Sequence, residues 1–200
     1  TKGYVVKFTL SILALLAIVF LVGCSAKDTS NKSELNNKYG GIYIFNKKYY
    51  EEIQQRERER RAYELSVLDR VKSDEEMRVE LRGFDQKFPQ TLSNGKKYYT
   101  DTADYSREYG KQPKVPEIYK ERIRNLIGKE NLDKIPGIGL GSFYSDEEGN
   151  ITPITMYIQY SDKVKSYGLF GDEGRGFSLS RDRFEYYEVK NKFYMEDLEK

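Results

Sequence analysis

The residues able to do chemistry are few in kind. The 200-residue chain has one cysteine, Cys24, and no histidine. Without an imidazole there is no Ser-His-Asp triad, no Cys-His dyad and no zinc site of the usual nitrogen and sulfur ligands. One thiol cannot close an internal disulfide. For acid–base work the chain offers 32 Asp and Glu residues, and two carboxylates suffice for glycosidase-type hydrolysis. These acids fall mostly in turns and on helix exteriors, and no pair stands out, so no catalytic residue is assigned. A Ser-Lys nucleophile pair would need a Ser-x-x-Lys at a helix start, and none sits in such a context. Two acidic loops, Asp146-Glu147-Glu148 and Asp172-Glu173, offer oxygen to a hard cation. Both lack the spaced ligands and terminal Glu of an EF-hand and read as solvated turns. Gly137-x-Gly139-x-Gly141 follows a helical segment and enters an extended one, the reverse of a dinucleotide fingerprint. Residues 171–176 are glycine-rich, but Asp172 and Glu173 repel phosphate and no Lys-Ser or Lys-Thr follows. No metal and no cofactor is expected.

The position of Cys24 is more informative than its solitude. Lys2 and Lys7 are the only charges before Lys27, and a short apolar stretch runs from Phe8 to a small residue, Gly23. A basic start, an apolar middle and a small residue before the processing point form the layout of a secretory signal. Leu21-Val22-Gly23-Cys24 resembles the lipobox of bacterial lipoproteins. That resemblance implies a signal peptide over residues 1–23, cleavage between Gly23 and Cys24, and diacylglyceryl transfer to the Cys24 thiol. Acyl chains would then hold the mature chain on the cell membrane, facing outside the cytoplasm. The alternative is an uncleaved transmembrane anchor, since residues 8–26 are free of charge for 19 positions, near the roughly 20 needed to span. The lone cysteine at the end of the apolar run, after a small residue, favours the lipoprotein reading.

Loss of the signal removes Lys2 and Lys7 and leaves 32 basic against 32 acidic residues. A formally neutral domain lacks the positive field that draws in phosphate backbones, so nucleic-acid binding is disfavoured. Ile135-Pro136-Gly137-Ile138-Gly139, preceded by Leu132, resembles the hairpin of the helix-hairpin-helix DNA-binding family. The resemblance departs where that family has a small residue and this chain has Phe143. The alternative, a Pro-Gly that ends a helix and opens a strand, is preferred.

The elements follow from pattern. Residues 24–40 are nearly devoid of apolar side chains and read as a lipidated flexible tether; residues 41–200 read as one α+β domain. Residues 43–72 read as a helix, solvated through Arg56-Glu57-Arg58-Glu59-Arg60-Arg61, with Leu65, Leu68 and Val71 as a packing stripe beside Tyr63 and Val67. Ser73-Asp74-Glu75-Glu76 reads as a capping box. Residues 84–115 are turn-rich, with a hairpin signal at Asn94-Gly95. Pro116 opens a helix whose face is Tyr119, Ile123, Leu126 and Ile127, and Gly128 stops it. Beyond that the period changes to two: Thr152, Ile154, Met156, Ile158 and Tyr160 alternate with their neighbours as a half-buried strand, after a hairpin loop at 146–150. Residues 138–144 are its expected partner. Residues 167–170 and 177–179 read as further strands. Residues 184–195 read either as a hairpin turning at Asn191 or as a strand with a helical tail.

The predicted fold class is α+β, helical in the first half, with a mostly antiparallel sheet of four or five strands in the second. Eighteen Tyr and ten Phe, with no Trp, favour a contact surface, although Tyr also fills cores. The functional expectation is a membrane-anchored envelope lipoprotein acting as a non-catalytic binding module. Its expected partners are the membrane, through the lipid, and an envelope protein or glycan. A carboxylate-based envelope hydrolase is the alternative.

Overall fold

The computed structural model describes residues 26–27, 31–134, 137–172, 174 and 176–199. The lipobox with Gly23 and Cys24, and Ile135-Pro136 of the Pro-Gly motif, lie outside them. The fold is α+β, with helices mostly in the first half and antiparallel sheets mostly in the second.

In chain order the elements begin with β1 (Ala26–Lys27), α1 (Lys32–Tyr39), β2 (Gly41–Ile44), α2 (Lys47–Leu68), α3 (Asp74–Glu80) and α4 (Phe84–Lys87). Next come β3 (Tyr98–Tyr99), α5 (Thr102–Tyr109), α6 (Glu117–Ile127), α7 (Lys129–Leu132), β4 (Gly139–Leu140), β5 (Phe143–Ser145), β6 (Ile151–Pro153) and β7 (Thr155–Ile158). The chain continues through β8 (Ser161–Asp172), β9 (Gly176–Tyr186), β10 (Asn191–Tyr194) and α8 (Met195–Leu198). It divides into two compact units, one of the chain up to Glu34 with Tyr160–Tyr187, the other of Leu35–Gln159 with Glu188–Lys200.

The second unit holds two sheets. In one the strand order is β10-β2-β7-β4, with β10 parallel to β2 and the other pairs antiparallel. The other is β3-β5-β6, all antiparallel. The expected strand over 152–160 is shared between them. Ile154 is the joint: its amide and that of Thr155 both donate to the Ser142 carbonyl at 2.9 Å, so pairing passes from β5 to β2 and β4. Ile154, Met156, Ile158 and Tyr160 are all buried as expected, but the alternation shows only around Tyr157 and Gln159, because Pro153, Thr155 and Ser161 are buried as well and Thr152 is partly exposed. Ile154 packs with Ile44, Tyr50, Ile53, Leu92 and Tyr98 in one cluster. A second cluster unites Tyr99, Tyr105, Phe143 and Ile151.

Several local signals act as read. Ser73 caps α3 by accepting from the Glu76 amide, while Glu76 accepts from the Lys72 amide. Asn94-Gly95 closes a tight turn, with the Leu92 amide donating to the Lys96 carbonyl and Gly95 at φ 80°, where only glycine is unstrained. Pro116 starts α6, whose Ile123 and Ile127 are buried, and Gly128 ends it.

Other segments differ from expectation. The helix expected over 43–72 starts later, at the Asn46 cap, because Tyr43 and Ile44 lie in β2 between β7 and β10. Its packing stripe is also displaced. Val67 is buried, but Leu65 and Leu68 are about half exposed, because the aromatic partners lie on another face: Tyr63 packs on Phe84 and Phe88 with ring centroids 5.9 and 5.1 Å away, and Arg60 sits over Phe84. Residues 32–39 of the expected tether form α1. Composition misses it because its support is long-range: Asn36 Nδ2 donates to the Glu188 carbonyl, and Asn191 Nδ2 donates to the Asn37 and Gly40 carbonyls. Asn191 opens β10 and is no hairpin turn; a short helix follows, the second of the two readings. The turn-rich stretch contains a helix, α5, capped by Asp101.

The other unit is a long antiparallel ribbon of β8 and β9, flanked by β1 on the β8 edge. Its strands are much longer than the segments expected at 167–170 and 177–179, and a register irregularity lies between Tyr167 and Phe170.

Candidate functional site

A cleft of about 540 Å³ opens where α5, the 111–117 connection and the 146–150 hairpin meet. Three local decisions create it. Asp101 caps α5 by accepting from the amides of Ala103 and Asp104, which aims Tyr105 inward. The Tyr105 hydroxyl donates to the Gly149 carbonyl, tying the helix to the hairpin. Gly149 takes φ 77°, and a Cβ there would meet the Tyr109 ring at 2.8 Å, so the close approach of ring to loop requires glycine. The extended stretch between Gly110 and Pro116 then borders the gap.

The floor is apolar, with Tyr105, Val115 and Ile151, and the rim carries Lys111, Lys114 and Lys120. Among the described residues lining the cleft, Glu117 is the one carboxylate. It lies 3.3 Å from Lys120 Nζ and 3.3 Å from Arg124 Nη2. Hydrogen bonds from Lys120 and then Arg124 hold its carboxyl below the usual glutamate range. Such a group is a fixed anion that offsets two cations; it is not a proton donor near neutrality. Lys111 Nζ reaches the Glu148 carbonyl at 3.4 Å. The rim is therefore net cationic above an apolar floor, an arrangement that receives an anionic group attached to an apolar or planar body.

A second depression, about 360 Å³, is lined by charge: Arg60, Asp85, Lys97, Asp104, Arg107 and Glu108. Each charge there has a partner. Arg60 pairs with Asp85 at 3.0 Å, Lys97 with Glu108 at 2.5 Å and Arg107 with Asp104 at 2.8 Å. Beneath it the Tyr98 hydroxyl donates to Glu57 at 2.7 Å and Tyr99 donates to Glu108 at 3.0 Å. Burial is the main influence raising both phenols, followed for Tyr98 by the Glu57 hydrogen bond. This groove satisfies itself and leaves no net charge for a ligand.

Of the two acidic loops singled out from the sequence, the second includes Glu173, which lies outside the described residues, and the first is turn structure. Asp146 accepts from the Asn150 amide and from Asn150 Nδ2, at 2.7 and 2.9 Å, and these bonds lower its carboxyl. Among the described residues no group of three or more His, Cys, Asp or Glu is placed to hold a metal ion. Gly139 lies in β4 under the Tyr157 ring, where a Cβ would come within 2.0 Å of that ring; this glycine serves strand packing. Of the tyrosines, Tyr43, Tyr50, Tyr98, Tyr99, Tyr105 and Tyr160 are core, whereas Tyr157, Tyr167 and Tyr186 are exposed.

No protein-family model matches the chain, and neither a curated protein nor a solved structure matches it. Among the described residues no helix is long and apolar enough to cross a membrane.

Sequence reasoning missed the cleft, whose residues come from three separated segments. The signals available were Asp101 ahead of Thr102-Ala103-Asp104, an N-cap pattern, and three lysines within ten residues flanking Pro113 and Pro116.

Proposed function

We propose that this chain is a membrane-anchored lipoprotein of the bacterial envelope, held outside the cytoplasm by acyl chains on Cys24, whose folded part binds a partner without turning it over. The partner is an envelope protein or glycan that presents anionic groups to the lysine-rimmed cleft. The observation that carries the binding reading is the state of Glu117. The one carboxylate on the cleft is neutralised by Lys120 and Arg124, so the site attracts anions and offers no protonated acid. A carboxylate hydrolase needs one carboxyl held protonated near neutrality. Glu52, Glu108, Glu117, Asp146, Asp182 and Glu199 are each displaced downward. The anchor is supported by Leu21-Val22-Gly23-Cys24 at the end of the apolar stretch; two acyl chains hold a protein stably where one does not.

Titration of hexaglutamate into the isotope-labelled full chain in micelles tests the cleft. Amide signals of residues 111–120 and 149–151 are expected to shift, and the response to fade with added salt. Lys111→Glu with Lys114→Glu is expected to abolish it. A response that survives both substitutions, or none at low salt, overturns the assignment. The anchor is read independently by mass spectrometry of the mature N-terminus. A chain beginning with acylated Cys24 supports it. An intact 1–23 segment on an unmodified Cys24 replaces it with a transmembrane anchor.

A further inference from the structure

The route by which the chain reaches the β8–β9 ribbon is set by β1. Lys27 pairs with Val164 and Ala26 with Lys165, antiparallel. Ala26 is therefore the end of β1 that lies nearer Asp172, the far end of β8. Cys24 precedes Ala26 by two residues, a reach of at most about 7 Å. An anchor at or before Cys24 brings the bilayer to this ribbon.

The register determines what the ribbon offers there. Ser161 pairs with Tyr186, Lys163 with Phe184, Lys165 with Asp182 and Tyr167 with Ser180, and directly paired residues share a face. One face thus carries three aromatic rings, Tyr167, Phe184 and Tyr186, which are 50%, 54% and 58% exposed, together with Lys163, Lys165 and the Asp182 that pairs with Lys163. Contacts agree with this placement: the Phe184 and Tyr186 ring centroids are 6.5 Å apart, Lys163 Nζ is 2.8 Å from Asp182, and Lys165 Nζ lies 5.9 Å from the Tyr167 ring centre. On the opposite face Asp162 and Val164 of β8 are buried while their partners Glu185 and Arg183 of β9 are exposed; on the aromatic face Ser161 is buried and Lys163, Lys165 and Tyr167 are exposed. Nearer the turn the irregularity between Tyr167 and Phe170 keeps Phe170, paired with Ser178, on this face and leaves Leu169 on the other with Leu179.

The composition of the aromatic face selects its occupant. Protein interfaces concentrate aromatic rings but are depleted in lysine. The boundary between lipid headgroups and acyl chains takes both, with rings at headgroup level and lysine stems lying along apolar surface while their ammonium groups reach phosphate. We infer that the Tyr167-Phe184-Tyr186 face of the ribbon, with Lys163 and Lys165, rests in the headgroup–acyl boundary of the membrane that holds the anchor. The inference depends on the N-terminal anchoring proposed above, in either its acylated or its uncleaved form.

The chain has no tryptophan, so one introduced indole is a single reporter. Phe184→Trp and Glu185→Trp place it at adjacent positions on opposite faces, both exposed to solvent. Each full-length variant is isolated with its anchor and reconstituted into vesicles of phosphatidylglycerol and a phosphatidylcholine brominated near the headgroup end of its acyl chains. Emission from the Phe184→Trp protein is expected to shift to the blue and to be quenched by the bromine, while emission from the Glu185→Trp protein does neither. Sedimentation with the vesicles reports the anchor separately. Sedimentation without quenching in the Phe184→Trp protein overturns the membrane contact and leaves the anchor standing. A blue shift in that variant without bromine quenching means that protein, such as a second copy, covers the face, and also overturns it. Failure to sediment defeats the anchor and the contact together.

Discussion

Glu108 shows how one carboxylate ties a surface pair to acid stability. Its carboxyl is held below the ordinary value of 4.5, first by the hydrogen bond from Lys97, against a smaller opposing effect of burial, and further by Tyr99. A carboxyl depressed in the folded state contributes stability that is complete above its unfolded pKa and is lost as pH falls through the folded value. Glu108→Gln is therefore expected to lower stability at neutral pH by about 0.2–1 kcal/mol, the range for a pair this exposed. The gap between variant and parent should begin to close below about pH 4.5. Melting temperatures of the two proteins from pH 7 to pH 3 check this; a gap that widens in acid would contradict the assigned pairing. Legibility at this scale is uneven. The Ser73 cap and the Gly95 turn depend on neighbours within four residues and can be read directly. Glu57 cannot. Its spacing makes it an i,i+4 partner of Arg61, yet it accepts from Tyr98 and from Gln90, which is 33 residues away.

Among the elements, α6 is legible because it has one wet and one dry side over enough residues for the period to show; in β7 only Tyr157 is exposed, between buried Met156 and Ile158, with Thr155 buried too. Ile158 in β7 is fully buried opposite Gly41 of β2. Ile158→Asp should place an uncompensated charge in the core and lower stability by several kcal/mol, seen as loss of the cooperative melting transition at ordinary temperatures. An unchanged melting temperature would mean that the strand presents its other face inward. The short strand β2 is not legible, because four residues apolar on both faces do not distinguish a strand from the start of a helix. Helix α5 carries its Asp101 cap in plain view but sits amid turn residues. The cleft inherits this difficulty: its floor joins Tyr105 to Ile151, and their proximity exists only once α5 and the hairpin are both in place.

At the scale of the whole molecule, the α+β class is readable from the change of period along the chain, whereas the closure of the principal sheet is not. β2 lies between β7 and β10, and its pairing with β10 joins Gly41 to Asn191. Truncation before Asn191 removes that strand and also the Asn191 side chain that holds the Asn37 and Gly40 carbonyls. Such a chain should lose cooperative unfolding of the Leu35–Gln159 unit, measured by circular dichroism on heating. A truncated protein that melts like the parent would show that β10 is an accessory. The same pairing has a temporal meaning. Polypeptide emerges from the ribosome, or from an export pore, in one direction, and β2 emerges about 150 residues before its parallel neighbour. Contacts of such long sequence separation form late, because the intervening loop must be closed first. The segment that begins this sheet thus has to wait, incomplete, for the one that finishes it. A chain built this way stays threadable through most of any passage across a membrane and locks into shape only when its last strand arrives.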